Sequence, residues 1–276
     1  MALGSFKLRL CQIMSMKKTD DQVDFGFQRV PAPEKTHLVQ DVFRRVAQQY
    51  DLMNDVMSLG IHRCWKGTFV EHLPLVSHSR ILDMAGGTGD ITRRICQRVM
   101  RQKRVNVQVV LADLNEKMLQ ARGQEASPLY DQKNLWQRQV TVSPLCVNAE
   151  TLVFPDDTFH LYTIAFGLRN ITDQSLALRE AYRVLKKGGS FFCLEFSKVH
   201  TPVLSHLYRR YLLDVIPRIG KRCASDEAAY QYLAESIEKF ADQETLGKMI
   251  RAAGFQHVTY TNLSLGMVAI HQGWKF

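Results

Sequence analysis

With 276 residues, 46% of them hydrophobic and 23% charged, the chain can bury about three-quarters of its unfolded surface and folds without disulfide staples. No stretch reaches the ~18 uninterrupted apolar residues of a spanning helix, which excludes an integral helical membrane protein. Lysine and arginine number 36 against 27 acidic residues, and the resulting +9 favours anionic partners, lipid or nucleic acid, without choosing between them.

In chain order, the first 18 residues carry Lys7, Arg9, Lys17 and Lys18, no acid before Asp20, and apolar Leu3, Phe6, Leu8, Leu10 and Ile13. That composition reads as a mitochondrial targeting segment over residues 1–20, with a frayed basic start as the alternative. From Leu38 to Tyr50 apolar residues recur every three or four positions, an amphipathic helix, and Leu52, Met53, Val56 and Met57 continue the helical pattern to a stop at Gly60. The pattern then changes. Arg80–Met84, Val107–Ala112, Val142–Val147, Phe159–Phe166 and Ser190–Phe196 read as strands, separated by helices over Ile91–Met100, Asn115–Gly123 and Gln174–Lys186. Such alternation predicts an α/β fold with a parallel sheet covered on both faces. Lys187-Gly188-Gly189 supplies a left-handed turn back to the sheet. Residues 200–253 read as three further helices, and Phe255–Tyr260 and Met267–His271 as a hairpin at one sheet edge. Cys11, Cys64, Cys96, Cys146, Cys193 and Cys223 form neither a C-x-x-C pair nor a Cys/His cluster, so no metal site is expected and the compartment reads as reducing.

The strongest chemical signal is Arg80–Asp90 (RILDMAGGTGD), a hydrophobic strand running into a glycine loop and then a helix. Gly86, Gly87 and Gly89 let a ligand approach backbone N–H groups at a helix N-terminus, which makes this a nucleotide site. The dinucleotide fingerprint finds Thr92 at its third glycine position, and no Gly-Lys-Ser/Thr follows to make a P-loop. What remains is Asp83 before the loop and Asp113 at the tip of the next strand, where a carboxylate can accept hydrogen bonds from both ribose hydroxyls. The competing reading is that Asp83 caps a helix and Asp113 merely ends a strand.

This arrangement resembles the class I S-adenosylmethionine-dependent methyltransferases, with their pattern D-x-G-x-G-x-G. Ala85 stands where that pattern has its first glycine, a variant expected to be tolerated if its φ stays negative. The resemblance implies a Rossmann-like, mostly parallel seven-stranded sheet with helices on both faces, extra N-terminal helices and a helical insertion before the last two strands. It also implies that Asp83, Gly87, Thr88 and Gly89 surround the methionine moiety, that Asp113 holds the ribose, and that Asn148 and Ala149 meet the adenine edge. An asparagine amide can both donate to and accept from adenine.

Two segments narrow the resemblance. Tyr50–Trp65 (YDLMNDVMSLGIHRCW) looks like the signature of the ubiquinone and menaquinone C-methyltransferases, and Arg183–Ser197 (RVLKKGGSFFCLEFS) is similar to their second signature, with Lys187 in place of a usual proline or valine. Ala165–Asn170 (AFGLRN) also matches, and the similarity runs from about Val39 to Phe276. This implies a single methyltransferase domain over 36–276, with a helical lid at 36–66 and the insertion at 200–240. It implies C-methylation of a 2-polyprenyl-6-methoxy-1,4-benzoquinol on the matrix side of the mitochondrial inner membrane, in contact with other ubiquinone-biosynthesis proteins. A reduced ring suits the chemistry, because a hydroquinone oxygen pushes electron density onto the ortho carbon.

Arg169 and Asn170, at the tip of the fourth strand, are the leading substrate-side residues. Arginine stays protonated, so Arg169 is expected to stabilise phenolate charge, against a structural pairing with Glu195 or Asp173. His62 is a candidate general base, against a cap or packing role. Tyr50 and Asn54, with Trp65, form a lid or simply pack; packing is favoured for Trp65, and Glu195 and His271 are expected to be structural. Residues 198–222 carry Lys198, Arg209, Arg210, Arg218, Lys221 and Arg222 against Asp214, beside apolar Val203, Leu207, Tyr211, Val215 and Ile216. They are expected to form a polyprenyl channel that touches anionic lipid, against an ordinary core or homodimer helix. A nucleic-acid methyltransferase is disfavoured, since no N/D-P-P-Y/F motif or Pro-Cys nucleophile occurs. A bacterial-type enzyme acting on both menaquinone and ubiquinone precursors, and a non-catalytic scaffold, remain as alternatives.

Overall fold

The structure, a computed structural model, describes residues 22–47, 54–55, 57–58, 60–121, 139–199, 201–223 and 226–276. It opens on a hairpin that is not among the elements expected from the sequence, β1 (Gln22–Phe25) and β2 (Gln28–Pro31), followed by α1 (Ala32–Val46), which has Pro33 in its first turn. Helix α2 (His62–His72) leads into β3 (Arg80–Met84), α3 (Asp90–Arg101), β4 (Val107–Asp113), the short α4 (Glu116–Gln120) and β5 (Val140–Cys146). Next come β6 (Phe159–Ala165), α5 (Gln174–Val184) and β7 (Leu185–Phe196). The insertion comprises α6 (Pro202–Arg210), a π-helical turn at Tyr211–Val215, α7 (Ile216–Cys223) and α8 (Glu227–Lys239). Helix α9 (Gln243–Ala252) and the strands β8 (Gln256–Leu263) and β9 (Val268–Trp274) complete the chain. Asp173, Asp226 and Asp242 each accept a hydrogen bond from a first-turn N–H of the helix they precede, fixing where α5, α8 and α9 begin.

Among the described residues one sheet has the strand order β5-β4-β3-β6-β7-β9-β8. The first five strands are parallel, and β9 lies antiparallel between β7 and β8. This is the Rossmann-like architecture of class I S-adenosylmethionine-dependent methyltransferases. Apart from the start of β7, the expected strands begin and end within three residues of the observed ones. One boundary is corrected: the helix expected to reach Lys186 ends at Val184, and β7 starts at Leu185 with Gly188 at φ +78° inside it. The register of β7 against β6 shifts between Leu185 and Ser190, so the Gly-Gly turn becomes an irregularity in a strand.

Side-chain alternation along the strands splits the core. Phe192, Leu194 and Phe196 of β7 pack with α1, α2, α3, α7 and α8 on one face, while Phe191 and Cys193 pack with α5 and α9 on the other. Leading out of β3 the chain moves to β4 and β5 on one side, then crosses to β6 and β7 on the other. The strand order therefore reverses between β3 and β6, the place where open α/β sheets bind ligands beyond their carboxyl ends.

Candidate functional site

The glycine loop leaves β3 at Met84. Gly86 N–H donates to Ala112 O (3.0 Å) and Gly89 N–H to Gly86 O (2.9 Å), a tight turn that delivers the chain into α3. A side chain at Gly86 would start 2.2 Å from Leu111 Cδ1, and Gly87 and Gly89 have φ of +56° and +88°. Ala85 corrects an expectation: its φ is +53°, not negative, so an L-residue sits in the left-handed region at a cost of roughly 1–2 kcal/mol. Phe166, at the facing tip of β6, has φ +57°. Strained residues thus stand at the ends of both switch-point strands.

Asp113 is fixed by this loop. Its Oδ2 accepts from Gly87 N–H (2.9 Å) and its Oδ1 from Asn115 N–H (2.8 Å), while burial raises its carboxyl pKa. A cavity is floored by Gly87, Asp113, Asn115, Met118, Asn148 and Ala149 and walled by Val39, Gln40 and Phe43 of α1. Phe166, Gly167 and Asn170 close its other end. Asn148 Oδ1 accepts from Glu150 N–H (3.0 Å), which holds the amide in one orientation.

A smaller cavity lies on the loop's other side, lined by Lys66, Asp83, Ala85, Gly86, Thr88 and Asp90. Asp83 is fully buried and accepts from Thr92 Oγ1 (2.6 Å) and Thr163 Oγ1 (2.9 Å); burial pushes its pKa up to about 6 against those bonds. Asp83 therefore ties the loop to the sheet as well as lining the cavity. Asp90 pairs with three cations, Lys66 (3.0 Å), Arg93 (2.8 Å) and Arg94 (3.0 Å). Burial alone would raise its pKa, but Lys66 and Arg94 outweigh this and lower it. One carboxylate against three cations leaves positive charge at the start of α3. Sequence reading missed Lys66, which follows directly on the Tyr50–Trp65 signature.

The site fits S-adenosylmethionine. A partly free carboxylate at Asp113 suits a ribose diol, a side-chain-free loop admits close backbone approach, and an electropositive corner suits an amino-acid carboxylate.

On the substrate side, Arg169 Nη1 donates to Glu195 Oε1 (2.9 Å) and to Phe166 O (2.6 Å), and its Nε to Ser236 Oγ (3.3 Å). The guanidinium also lies 5.3 Å from the Phe196 ring centroid. Of the two roles weighed for Arg169, the geometry builds the ion pair with Glu195. Burial raises the pKa of Glu195, and Arg169 opposes that shift. Asn170 is buried, lines the cofactor-side cavity and accepts from Tyr232 O–H (3.0 Å). His62 is buried with Nε2 2.9 Å from Asp55 Oδ1, and it lines neither cavity. Burial, then the charge of Lys66, lowers its pKa. The amide nitrogen of Asn54 is buried without a hydrogen-bond partner among the described residues, and Tyr50 lies outside them. Trp65 packs: its ring meets Phe196 edge-on and its N–H donates to Ser264 Oγ (2.8 Å). His271 is buried against Gln243 O. The insertion's expected stripe divides, with Ile216 in the core and Leu207 and Val215 exposed.

Solved structures share this fold. An S-adenosylmethionine-dependent methyltransferase of Thermotoga maritima superposes with a TM-score of 0.54 at 20% identity, covering 86% of this chain and 100% of its own. Human N-acetylserotonin methyltransferase, solved with S-adenosylmethionine, gives 0.57 at 15% identity, covering 89% of this chain and 60% of its own. Sequence similarity is much stronger to proteins named ubiquinone/menaquinone biosynthesis C-methyltransferase UbiE. The Hydrogenovibrio crunogenus protein is 48% identical over 260 residues, 94% of this chain and 97% of its own. The Rickettsia bellii protein is 46% identical over 256 residues, 92% and 99% of the two chains. The profile of the ubiE/COQ5 methyltransferase family matches residues 31–275, so the chain belongs to that family and is an S-adenosylmethionine-dependent methyltransferase.

Proposed function

We propose that the chain methylates a ring carbon of a polyprenylated quinol precursor of ubiquinone or menaquinone. The observation that carries this reading is a glycine loop fixed to Asp113, in a chain 48% identical along nearly its whole length to a C-methyltransferase named for both quinones. Because the relatives compared are bacterial and carry both names, they favour the broader acceptor range. The narrower reading takes 2-polyprenyl-6-methoxy-1,4-benzoquinol as acceptor, on the matrix side of the mitochondrial inner membrane. It draws its support from the basic composition of residues 1–20.

In this reading Asp113 holds the ribose, Asn148 and Ala149 meet the adenine edge, and Gly87, Thr88 and Gly89 wrap the methionine moiety. When bound, S-adenosylmethionine supplies an electrophilic methyl to the electron-rich carbon ortho to the quinol oxygen. Arg169, oriented by Glu195, places fixed positive charge beside the tip of β6, where phenolate character is stabilised. His62, held against Asp55 and lining neither cavity, keeps the packing role weighed for it, and the phenolic proton leaves through water. Residues 36–66, with Tyr50 and Asn54, act as a lid that excludes water. Helices α6 and α7 guide the polyprenyl tail, and their Arg209, Arg210 and Arg218 face anionic lipid.

Parallel assays with short-tailed demethylmenaquinol and 6-methoxy-1,4-benzoquinol test the proposal. Similar kcat/KM on both supports the broad range, and a preference above a hundredfold for the benzoquinol supports the narrow one. Turnover of neither contradicts the reading.

A further inference from the structure

A cavity of about 840 Å³ lies between the β1–β2 hairpin, α1, α8 and the start of α5. We infer that it receives the ring of the quinol acceptor and that Lys35 holds the ring's ionised oxygen; this rests on the acceptor class proposed above.

Lys35 sits in the first turn of α1, where the helix dipole disfavours a cation, yet it is only 6% exposed. Its Nζ donates to Ile171 O (3.3 Å), and among the described residues no carboxylate lies within 4 Å of it. The neighbouring acids are engaged elsewhere: Asp24 pairs with Lys239 (3.7 Å), and Glu150 Oε1 accepts from the N–H groups of Thr172 and Asp173 (3.1 Å each). Burial lowers the pKa of Lys35, with Asp24 and Glu150 acting against the shift from a distance. A buried ammonium without a counter-ion is costly, and an anion that reaches it relieves that cost.

The position suits methyl transfer. Thr36, Glu150 and Thr172 line both this cavity and the one beside Asp113, and Thr36 Oγ1 meets Thr172 Oγ1 at 2.9 Å in the shared wall. Ile171, the carbonyl partner of Lys35, directly follows Asn170 at the tip of β6. Arg169, paired with Glu195, also lines the larger cavity, whereas Lys35 has no such partner among the described residues.

The lining selects the charge and shape of the ligand. Its walls mix acids, Asp24, Glu150 and Asp173, with the bases Arg29, Lys35, Arg169 and Lys239, so no strong field of one sign favours a highly charged ligand, and Val23, Phe240 and Met249 offer apolar surface. A monoanionic ring with an apolar substituent meets both conditions, and the cavity is of the size that holds such a molecule. On binding, the hydroxyl proton passes to bulk water and the oxygen stays ionised against Lys35. That ionisation is what enriches the ortho carbon in electron density.

The test follows the absorbance of a short-tailed 6-methoxy-1,4-benzoquinol, kept reduced under anaerobic conditions at pH 7, as it binds the full chain. Wild type, Lys35→Met and Lys35→Arg are compared, with S-adenosylmethionine affinity measured separately by calorimetry. The inference expects a phenolate band in the wild-type complex, its loss with at least tenfold weaker quinol binding in Lys35→Met, and its retention in Lys35→Arg. S-adenosylmethionine affinity is expected to stay equal in all three. A phenolate band and quinol affinity unchanged in Lys35→Met overturn it, as does a parallel fall in S-adenosylmethionine affinity, which marks a purely structural lysine. A wild type that takes up S-adenosylmethionine but binds no quinol overturns the acceptor reading itself.

Discussion

Ala85 and Gly167 compete for one space between the tips of β3 and β6: a Cβ built on Gly167 would lie 2.4 Å from the Cβ of Ala85. The methyl group that replaces a glycine in the nucleotide loop is thus accommodated by a glycine on the facing strand end. Ala85 at φ +53° and Phe166 at φ +57° keep both loops in conformations that ordinary residues avoid.

This coupling makes Gly167→Ala destabilising by about 1–3 kcal/mol, the usual range for overpacking, with a matching loss of S-adenosylmethionine affinity. Adding Ala85→Gly should return most of both. Denaturant titration and calorimetry on the two single variants and the double variant read the coupling, and strictly additive effects would contradict it.

Asp113→Ala removes the acceptor of two backbone N–H groups together with the proposed ribose ligand. S-adenosylmethionine affinity should fall by about ten- to a hundredfold, or roughly 1.5–3 kcal/mol. Equilibrium binding decides this, and wild-type affinity would remove Asp113 from the site.

The Arg169–Glu195 pair is buried on both sides. Glu195→Ala leaves a buried guanidinium uncompensated and should cost about 3–5 kcal/mol in urea unfolding. Arg169→Lys keeps the charge but not the fork, so it should fold and lose kcat with little change in S-adenosylmethionine affinity. Normal kcat in Arg169→Lys would confine the arginine to structure.

The raised pKa of Asp83 gives stability a pH dependence of defined sign. Its carboxyl goes from 3.8 unfolded to about 6 folded, so the native state binds the extra proton. Its contribution is fully present below pH 3.8 and is lost as pH rises through 6. The stability of wild type relative to Asp83→Asn should therefore decline across this window, by an amount on the order of 2–3 kcal/mol. A pH series of unfolding curves shows it, and a flat difference would mean Asp83 is already ionised in the fold.

Leu207 is 58% exposed and Val215 39%, beside Arg209 and Arg210. Reversing both arginines to glutamate should weaken binding to cardiolipin-containing vesicles more than tenfold. Unchanged sedimentation with vesicles would leave these helices without a lipid role.

The sheet was legible because its strands are short apolar runs punctuated by helices, and the loop because glycines cluster where a strand tip ends. The hairpin was not. Its strands are only four residues long, too short for a pattern to stand out, and what holds them is tertiary: Phe25 stacks on Tyr232 at 4.2 Å and Phe27 N–H reaches Glu235 at 2.9 Å. The φ of Ala85 escaped for a similar reason, since the space it needs is made by Gly167, 82 positions away. Glu195 could be named as a partner of Arg169, but only the fold decides for it over Asp173. Lys35 and Lys66 gave no signal, because a lysine looks solvated until a structure buries it.

The most direct measurement of the central claim is transfer of a labelled methyl from S-adenosylmethionine to a short-tailed 6-methoxy-1,4-benzoquinol, with the reduced and oxidised rings compared side by side. The account predicts label on ring carbon with the quinol alone. Label on the oxidised ring, or on neither, would contradict it.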